Sequence, residues 1–480
     1  MSNLKKNFIY NVAYQILILI LPFVTVPYVS RVLGASGIGE YTFTYSIVYY
    51  FMICAMLGLN NYGNRTIAKV RDDKKKLSKT FKEIYIMQFF TTIIMVALYL
   101  IYILFICKRF LFISVLQSAY ILSCVFDINW FYFGIEKFKI TVTRNAVLKL
   151  LSLILIFLLV KDRNDIWIYT IILSGSTLLS QMILWPFLRK YITNVPIRIS
   201  NVKKHFIPCL KLFLPVIAVA IYKIMDKTMI GFLSNISEVG FYENAEKIVS
   251  VPNAIIAALG TVMLPRMSNI YAKGQDKEAK KLIEKSMTAI MFLAFAMMFG
   301  LITVSKNFTI IFFGSEFVKS GTLIIYLSVT IIFLSWGNVI RTQYLIPKEM
   351  DKDYIISAFL GALVNLTLNF IFIPRYASIG ACYGTIAAEL IVMVYQTIAV
   401  SKYLPINKYI NNTIPFIIKS IIMFVPIFML NYIEMNVYVR LILQVVFGIT
   451  IYSLLNIKYI LSLVNFRRYF NYFNKLSKEK

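Results

Sequence analysis

Apolar runs about as long as a bilayer is thick recur along the whole chain and leave little choice of fold. A helix needs about 20 apolar residues to cross the hydrocarbon layer. From Phe8 onward such runs follow one another, separated by short polar gaps. They are continuous rather than alternating, which selects helices over a barrel. Composition agrees, since 59% of the 480 residues are apolar and only 15% are charged. A soluble domain is about half apolar and about a quarter charged. The expected fold class is an all-α integral membrane protein with about 14 transmembrane helices. They are placed at about 8–30, 40–60, 82–106, 111–133, 144–160, 166–188, 207–233, 238–264, 286–304, 320–342, 353–373, 379–401, 412–432 and 438–457. The first run, Phe8 to Leu33 behind Lys5 and Lys6, is longer than a secretory h-region and reads as an uncleaved helix.

Basic residues test the count. With the start of the chain placed in the cytoplasm, 36 of the 50 Lys and Arg fall in inside segments and nine in outside loops. Five lie within spans: Lys149, Lys223, Lys227, Lys247 and Lys419. Positive charge collects on the cytoplasmic side of membrane proteins, and one missed helix would invert half of this pattern. The expectation is a multi-pass protein of the cell membrane with both termini cytoplasmic.

The same distribution excludes other classes. A net charge of +28 would suggest nucleic acid in a soluble protein, but here it sits in alternate loops, so no nucleic-acid partner is expected. The five cysteines have irregular spacing and lie in or beside apolar runs, giving neither a disulfide framework nor a zinc site. The single histidine, His205, lies in a linker. No loop is long enough to hold a catalytic domain. No catalytic residue, metal or cofactor is expected, and the chain reads as a transporter rather than an enzyme.

An internal repeat suggests the architecture. Ile38-Gly39-Glu40-Tyr41, after the first span, matches Val239-Gly240-Phe241-Tyr242, after the seventh, in register. Both joints open a six-helix block. The expected organisation is a six-helix bundle at 1–190, a cytoplasmic linker at 191–206, a second bundle at 207–402, and two further spans with a basic tail at 403–480. Parallel repeats about an axis along the membrane normal are a transporter architecture.

Charges inside spans mark the candidate site. The seventh and eighth spans carry Lys223, Asp226, Lys227, Glu243, Glu246 and Lys247. Six unpaired charges at mid-bilayer would cost about 15–20 kcal/mol on insertion scales, so they must pair or face water. The turn centres near Asn235, and Lys227 and Glu243 lie eight residues either side of it. Equal separation means equal depth, so Lys227 with Glu243, and Lys223 with Glu246, are expected cross-helix pairs. One reading is a neutral network that fixes helix packing. The other is a wet cavity wall that binds charge. Pro22, Pro27, Pro215 and Pro252 are candidate hinges. A tyrosine stripe at Tyr41, Tyr45 and Tyr49 either stacks on sugars or packs against lipid and protein.

Several motifs in order resemble Wzx-type polysaccharide flippases, of the polysaccharide transport branch of the multidrug/oligosaccharidyl-lipid/polysaccharide exporter superfamily. They are Pro27-Tyr28-Val29-Ser30-Arg31-Val32-Leu33-Gly34, Tyr62-Gly63-Asn64-Arg65, Asp127-Ile128-Asn129-Trp130-Phe131, Asp226-Lys227-Thr228-Met229 and Gly240-Phe241-Tyr242-Glu243. Phe133 stands where members often carry Gln. The resemblance implies a MATE-like fold. It implies export of undecaprenyl-pyrophosphate-linked oligosaccharide to the outer leaflet for capsule, exopolysaccharide or O-antigen, by alternating access driven by H+ or Na+. On that reading Arg31, Lys223, Lys227, Lys247 and Arg341 bind the pyrophosphate, and Asp226, Glu243 and Glu246 couple the ion. Arg65, Asp127 and Trp130 are family-motif residues. The partners implied are the lipid-linked oligosaccharide, the bilayer and a polysaccharide polymerase complex, and one chain is expected to suffice. Rival readings are a multidrug or cation antiporter, a flippase for peptidoglycan or teichoic-type precursors, a membrane glycosyltransferase and a non-transporting scaffold.

Overall fold

The computed structural model describes residues 3–197 and 199–462. The side chains of 3–20, 199–200 and several positions between 214 and 223, Lys223 and Pro215 among them, lie outside that description. Among the described residues there is no strand. The helices are α1 (Asn3–Met56), α2 (Leu59–Val70), α3 (Lys74–Phe105), α4 (Leu111–Phe126), α5 (Asn129–Gly134), α6 (Phe138–Leu159), α7 (Ile166–Met182) and α8 (Trp185–Leu188). They continue as α9 (Ile199–Leu233), α10 (Ile236–Ala272), α11 (Asp276–Phe313), α12 (Val318–Ser328) and α13 (Thr330–Ile340). The last are α14 (Asp351–Tyr376), α15 (Ser378–Val400), α16 (Ile406–Met429) and α17 (Val437–Leu455).

Among the described residues twelve stretches are long and apolar enough to cross a bilayer. The difference from the expected fourteen has two sources. The first and second expected spans form one run, α1, broken internally at Gly34. The other is α9, some of whose side chains are not described. Gly34 adopts φ 68°, which favours glycine. Non-helical backbone in α1 falls at Gly34, while the candidate hinges Pro22 and Pro27 lie inside the helix.

Two compact units emerge. The first holds the chain up to Asn244 together with Gly361–Gly384. In it α1 packs against α3, α4, α6 and α9, and α4 against α7. One core in it joins α2, α3 and α5 through Phe81, Ile84, Ile67, Trp130 and Phe131. The second unit holds Ala245–Leu360 and the chain from Thr385. There α11 is the spine, contacting α12, α13, α16 and α17, with Met423, Ile427 and Tyr452 at one core. Large apolar side chains such as Leu158 on α6 and Ile449 on α17 are exposed, a surface suited to hydrocarbon rather than water.

Candidate functional site

The α9–α10 hairpin is a helical pair whose turn is set by Asn235. Its side chain accepts a hydrogen bond from the Glu238 backbone N–H at 3.1 Å, opening α10. Two antiparallel helices leaving one turn keep step in depth, and Lys227 Nζ meets Glu243 Oε2 at 2.6 Å. The two side chains are 16% and 14% exposed, so the pair is shielded without being sealed off. The Lys227–Glu243 pairing matches the expectation. The Lys223 partner of Glu246 lies outside the described side chains. Glu246 and Lys247 are half-buried on the part of α10 that belongs to the second unit.

Asp226 enters a different network. It is 5% exposed. Tyr242 donates its hydroxyl to Asp226 Oδ2 at 2.7 Å, and Asn369 donates Nδ2 to Oδ1 at 2.6 Å. Asn369 also donates to Asn365 Oδ1 at 3.1 Å. Room for that amide comes from Gly384, where a Cβ would lie 2.2 Å from Asn369 Oδ1.

The hairpin is locked to α1. Thr228 donates to Ser46 Oγ at 2.9 Å, and Asn244 donates to Ser30 Oγ at 2.8 Å. At the hairpin tip the two repeat motifs touch each other. A Cβ on Gly39 would lie 1.8 Å from the Ile236 carbonyl oxygen, and a Cβ on Gly240 would lie 2.1 Å from that of Ala35. The contact is reciprocal: position 39 corresponds to 240, and 35 to 236.

The tyrosine stripe faces protein. The Tyr41 and Tyr120 hydroxyls are 2.7 Å apart. Tyr41 and Tyr45 stack at 5.9 Å, while Tyr169 and Tyr120 meet them edge-on at 5.0 Å each. Tyr45 lies within electrostatic reach of both Lys227 and Glu243, and Tyr50 of Asp226. An aromatic wall with phenolic donors therefore flanks the ion pair.

The remaining expected residues are dispersed. Arg31 is exposed, three residues before the Gly34 break. Arg341 belongs to the second unit, opens a π-helical segment (Arg341–Leu345) and lies 5.7 Å from the Tyr354 ring. Arg65 is exposed on α2. Trp130 is fully buried, stacked on Phe81 at 5.5 Å, and donates Nε1 to Gln88 Oε1 at 2.9 Å. Gly63 lets the ring in, since a Cβ there would lie 2.6 Å from it. Asp127 accepts from the Asn129 backbone and side-chain amides at 3.0 and 2.7 Å. Asn129 in turn donates to Gln181 Oε1 at 2.9 Å and accepts from Arg144 at 3.1 Å. The Asp-x-x-Trp element thus builds a packing node between α3, α5, α6 and α7. Arg144, Gln88 and Asn369 went unnoticed in the sequence, although Asn365 and Asn369, one turn apart in an apolar helix, were a visible signal.

The helical fold is one shared with solved structures of a MurJ flippase and a MATE transporter. The chain superposes on lipid II flippase MurJ in an inward closed conformation with TM-score 0.75 at 18% identity, covering 95% of this chain and 99% of that one. It superposes on an inward-facing multidrug MATE transporter of the MOP superfamily with TM-score 0.61 at 11% identity, covering 80% and 94%. By sequence, the polysaccharide biosynthesis protein family matches residues 4–271, and the chain belongs to that family. A Shigella dysenteriae protein named for O-antigen transport is 22% identical over 79% of this chain and 95% of its own length. An Escherichia coli K12 protein named likewise is 24% identical over 81% and 95%.

Proposed function

We propose that this protein flips lipid-linked oligosaccharide repeat units, carried on undecaprenyl pyrophosphate, from the cytoplasmic to the outer leaflet of a bacterial cell membrane. The observation that carries the reading is the Lys227–Glu243 pair beside a tyrosine wall inside an apolar bundle of this family. A pyrophosphate crossing hydrocarbon needs cationic and donor partners. Lys227 offers the first, and Arg31, Lys223, Lys247 and Arg341 are the further cations assigned to the substrate. Half-buried Tyr45, within reach of the pair, offers the second. The names of the relatives favour surface polysaccharide as the end product.

Ion coupling by H+ or Na+ is assigned to Asp226, Glu243 and Glu246. The two-bundle organisation, 1–190 and 207–402 with spans 13 and 14 following, is supported by the reciprocal glycine contact. Such a self-matching contact is what a twofold relation between repeats produces.

The test is made in a strain lacking the protein. Lipid-linked repeat units should accumulate facing the cytoplasm while surface polymer is lost, and the restored gene should reverse both. Restoration by Asp226→Asn without any response to a collapsed ion gradient would remove Asp226 from coupling. Unchanged polymer and intermediates would instead move drug export, or a peptidoglycan or teichoic precursor, to the front.

A further inference from the structure

Lys419 is a span lysine outside the α9–α10 hairpin. Near the start of α16, Lys408 pairs with Glu284 at 2.9 Å, and Asn412 donates to the other Glu284 oxygen at 3.1 Å. Lys419 lies eleven residues further along, about 16 Å of helix rise. Its Nζ donates to Asn456 Oδ1 at 3.1 Å and stands 5.9 Å from the Phe416 ring. Asn456 is fully buried and caps the end of α17, giving its own Nδ2 to the Tyr452 carbonyl at 2.9 Å. That bond turns the amide oxygen toward the lysine. Among the described residues no carboxylate pairs with Lys419. One turn on, Met423 and Ile427 belong to an apolar core. Its α16 neighbours Ile418 and Ile422 are exposed apolar side chains, so this face meets the hydrocarbon.

An ammonium with three donors thus holds one neutral acceptor and an aromatic ring. The α17 C-terminus adds only a partial negative charge. A charge on a membrane helix persists where something neutralises it. The anion available along a lipid-facing surface, at the level where α17 ends, is a lipid phosphate. We infer that Lys419, positioned by Asn456, binds the phosphate of a membrane lipid. The inference does not rest on the flippase reading, because a bilayer phospholipid and a polyprenyl phosphate present the same group. Exposed Lys458, two residues past Asn456, adds a second cation at that end.

The test uses the full-length protein in phosphatidylcholine vesicles, with spin-labelled phosphatidylglycerol or spin-labelled phosphatidylcholine as the probe. A lysine near a membrane surface is worth roughly a fivefold preference for anionic lipid. Lys419→Gln should lower the wild-type preference for the anionic probe by about that factor, and Lys419→Arg should keep it. Asn456→Asp supplies an internal counter-charge and should lower it likewise, with the lysine intact. If unlabelled polyprenyl phosphate displaces the probe at lower concentration than unlabelled phosphatidylglycerol, the site belongs to the carrier. Equal displacement assigns it to bulk phospholipid. An unchanged preference in either Lys419→Gln or Asn456→Asp overturns the inference, as does a wild type that treats both probes alike.

Discussion

Gly240→Ala should force the hairpin tips apart. The added Cβ would lie 2.1 Å from the Ala35 carbonyl oxygen and 3.1 Å from the Gly39 nitrogen. Both are backbone atoms, so no side chain can swing away. Restoring an ordinary separation needs a backbone shift of roughly 1 Å, and overpacking of this kind costs about 1–3 kcal/mol. The cost is felt only where the tips touch, so an arrangement with the tips apart should gain about 5- to 150-fold in relative population. Gly39→Ala, at 1.8 Å from the Ile236 oxygen, should act alike because the contact is reciprocal. The assay is labelling of a cysteine placed at buried Thr42 with a membrane-impermeant maleimide, after replacement of the five native cysteines. Labelling should rise in both variants and export should fall. Gly300→Ala is the control, since nothing lies within 4 Å of a Cβ there. Normal labelling and normal export in both glycine variants, at normal protein levels, would refute the idea that this contact must close and open.

Three further outcomes are expected. Lys227→Ala alone should leave Glu243 charged and shielded, at a cost of about 3–5 kcal/mol. Adding Glu243→Gln should recover much of the melting temperature, and an additive double mutant would dissolve the pair as a unit. Trp130→Ala should lose about 3–5 kcal/mol from the cavity it leaves, with thermal stability falling while per-molecule export holds; a selective loss of export would return Trp130 to the transport path. Asp73 caps α3, and bonds from the Lys76 and Lys75 backbone amides hold its carboxyl below the usual range. A lowered value adds stability above the ordinary aspartate range that is lost as pH falls through the folded value. Melting curves from pH 3 to 7 should show that loss, and Asp73→Ala should remove it.

What the sequence settled followed from length and periodicity. A run of apolar residues commits to a membrane helix because the bilayer leaves the backbone no other hydrogen-bonding partner. The Lys227–Glu243 pair was legible for the same kind of reason: one turn and a constant rise fix the depth of both side chains. The Ile-Gly-x-Tyr and Val-Gly-x-Tyr match announced a repeat.

Only the tertiary structure decided what those features touch. Asp226 lies one residue from Lys227 but points to Tyr242 and to Asn369, 143 positions away, because helix geometry sends neighbouring side chains to different faces. The two glycines proved to be one contact rather than two turns. Trp130 and Asp127, conspicuous as motif residues, hold α5 in place against α3, α6 and α7. Arg144, unremarkable in the sequence, is buried among amides. Pairing across helices far apart in sequence depends on which faces meet, and no local pattern in the chain carries that information.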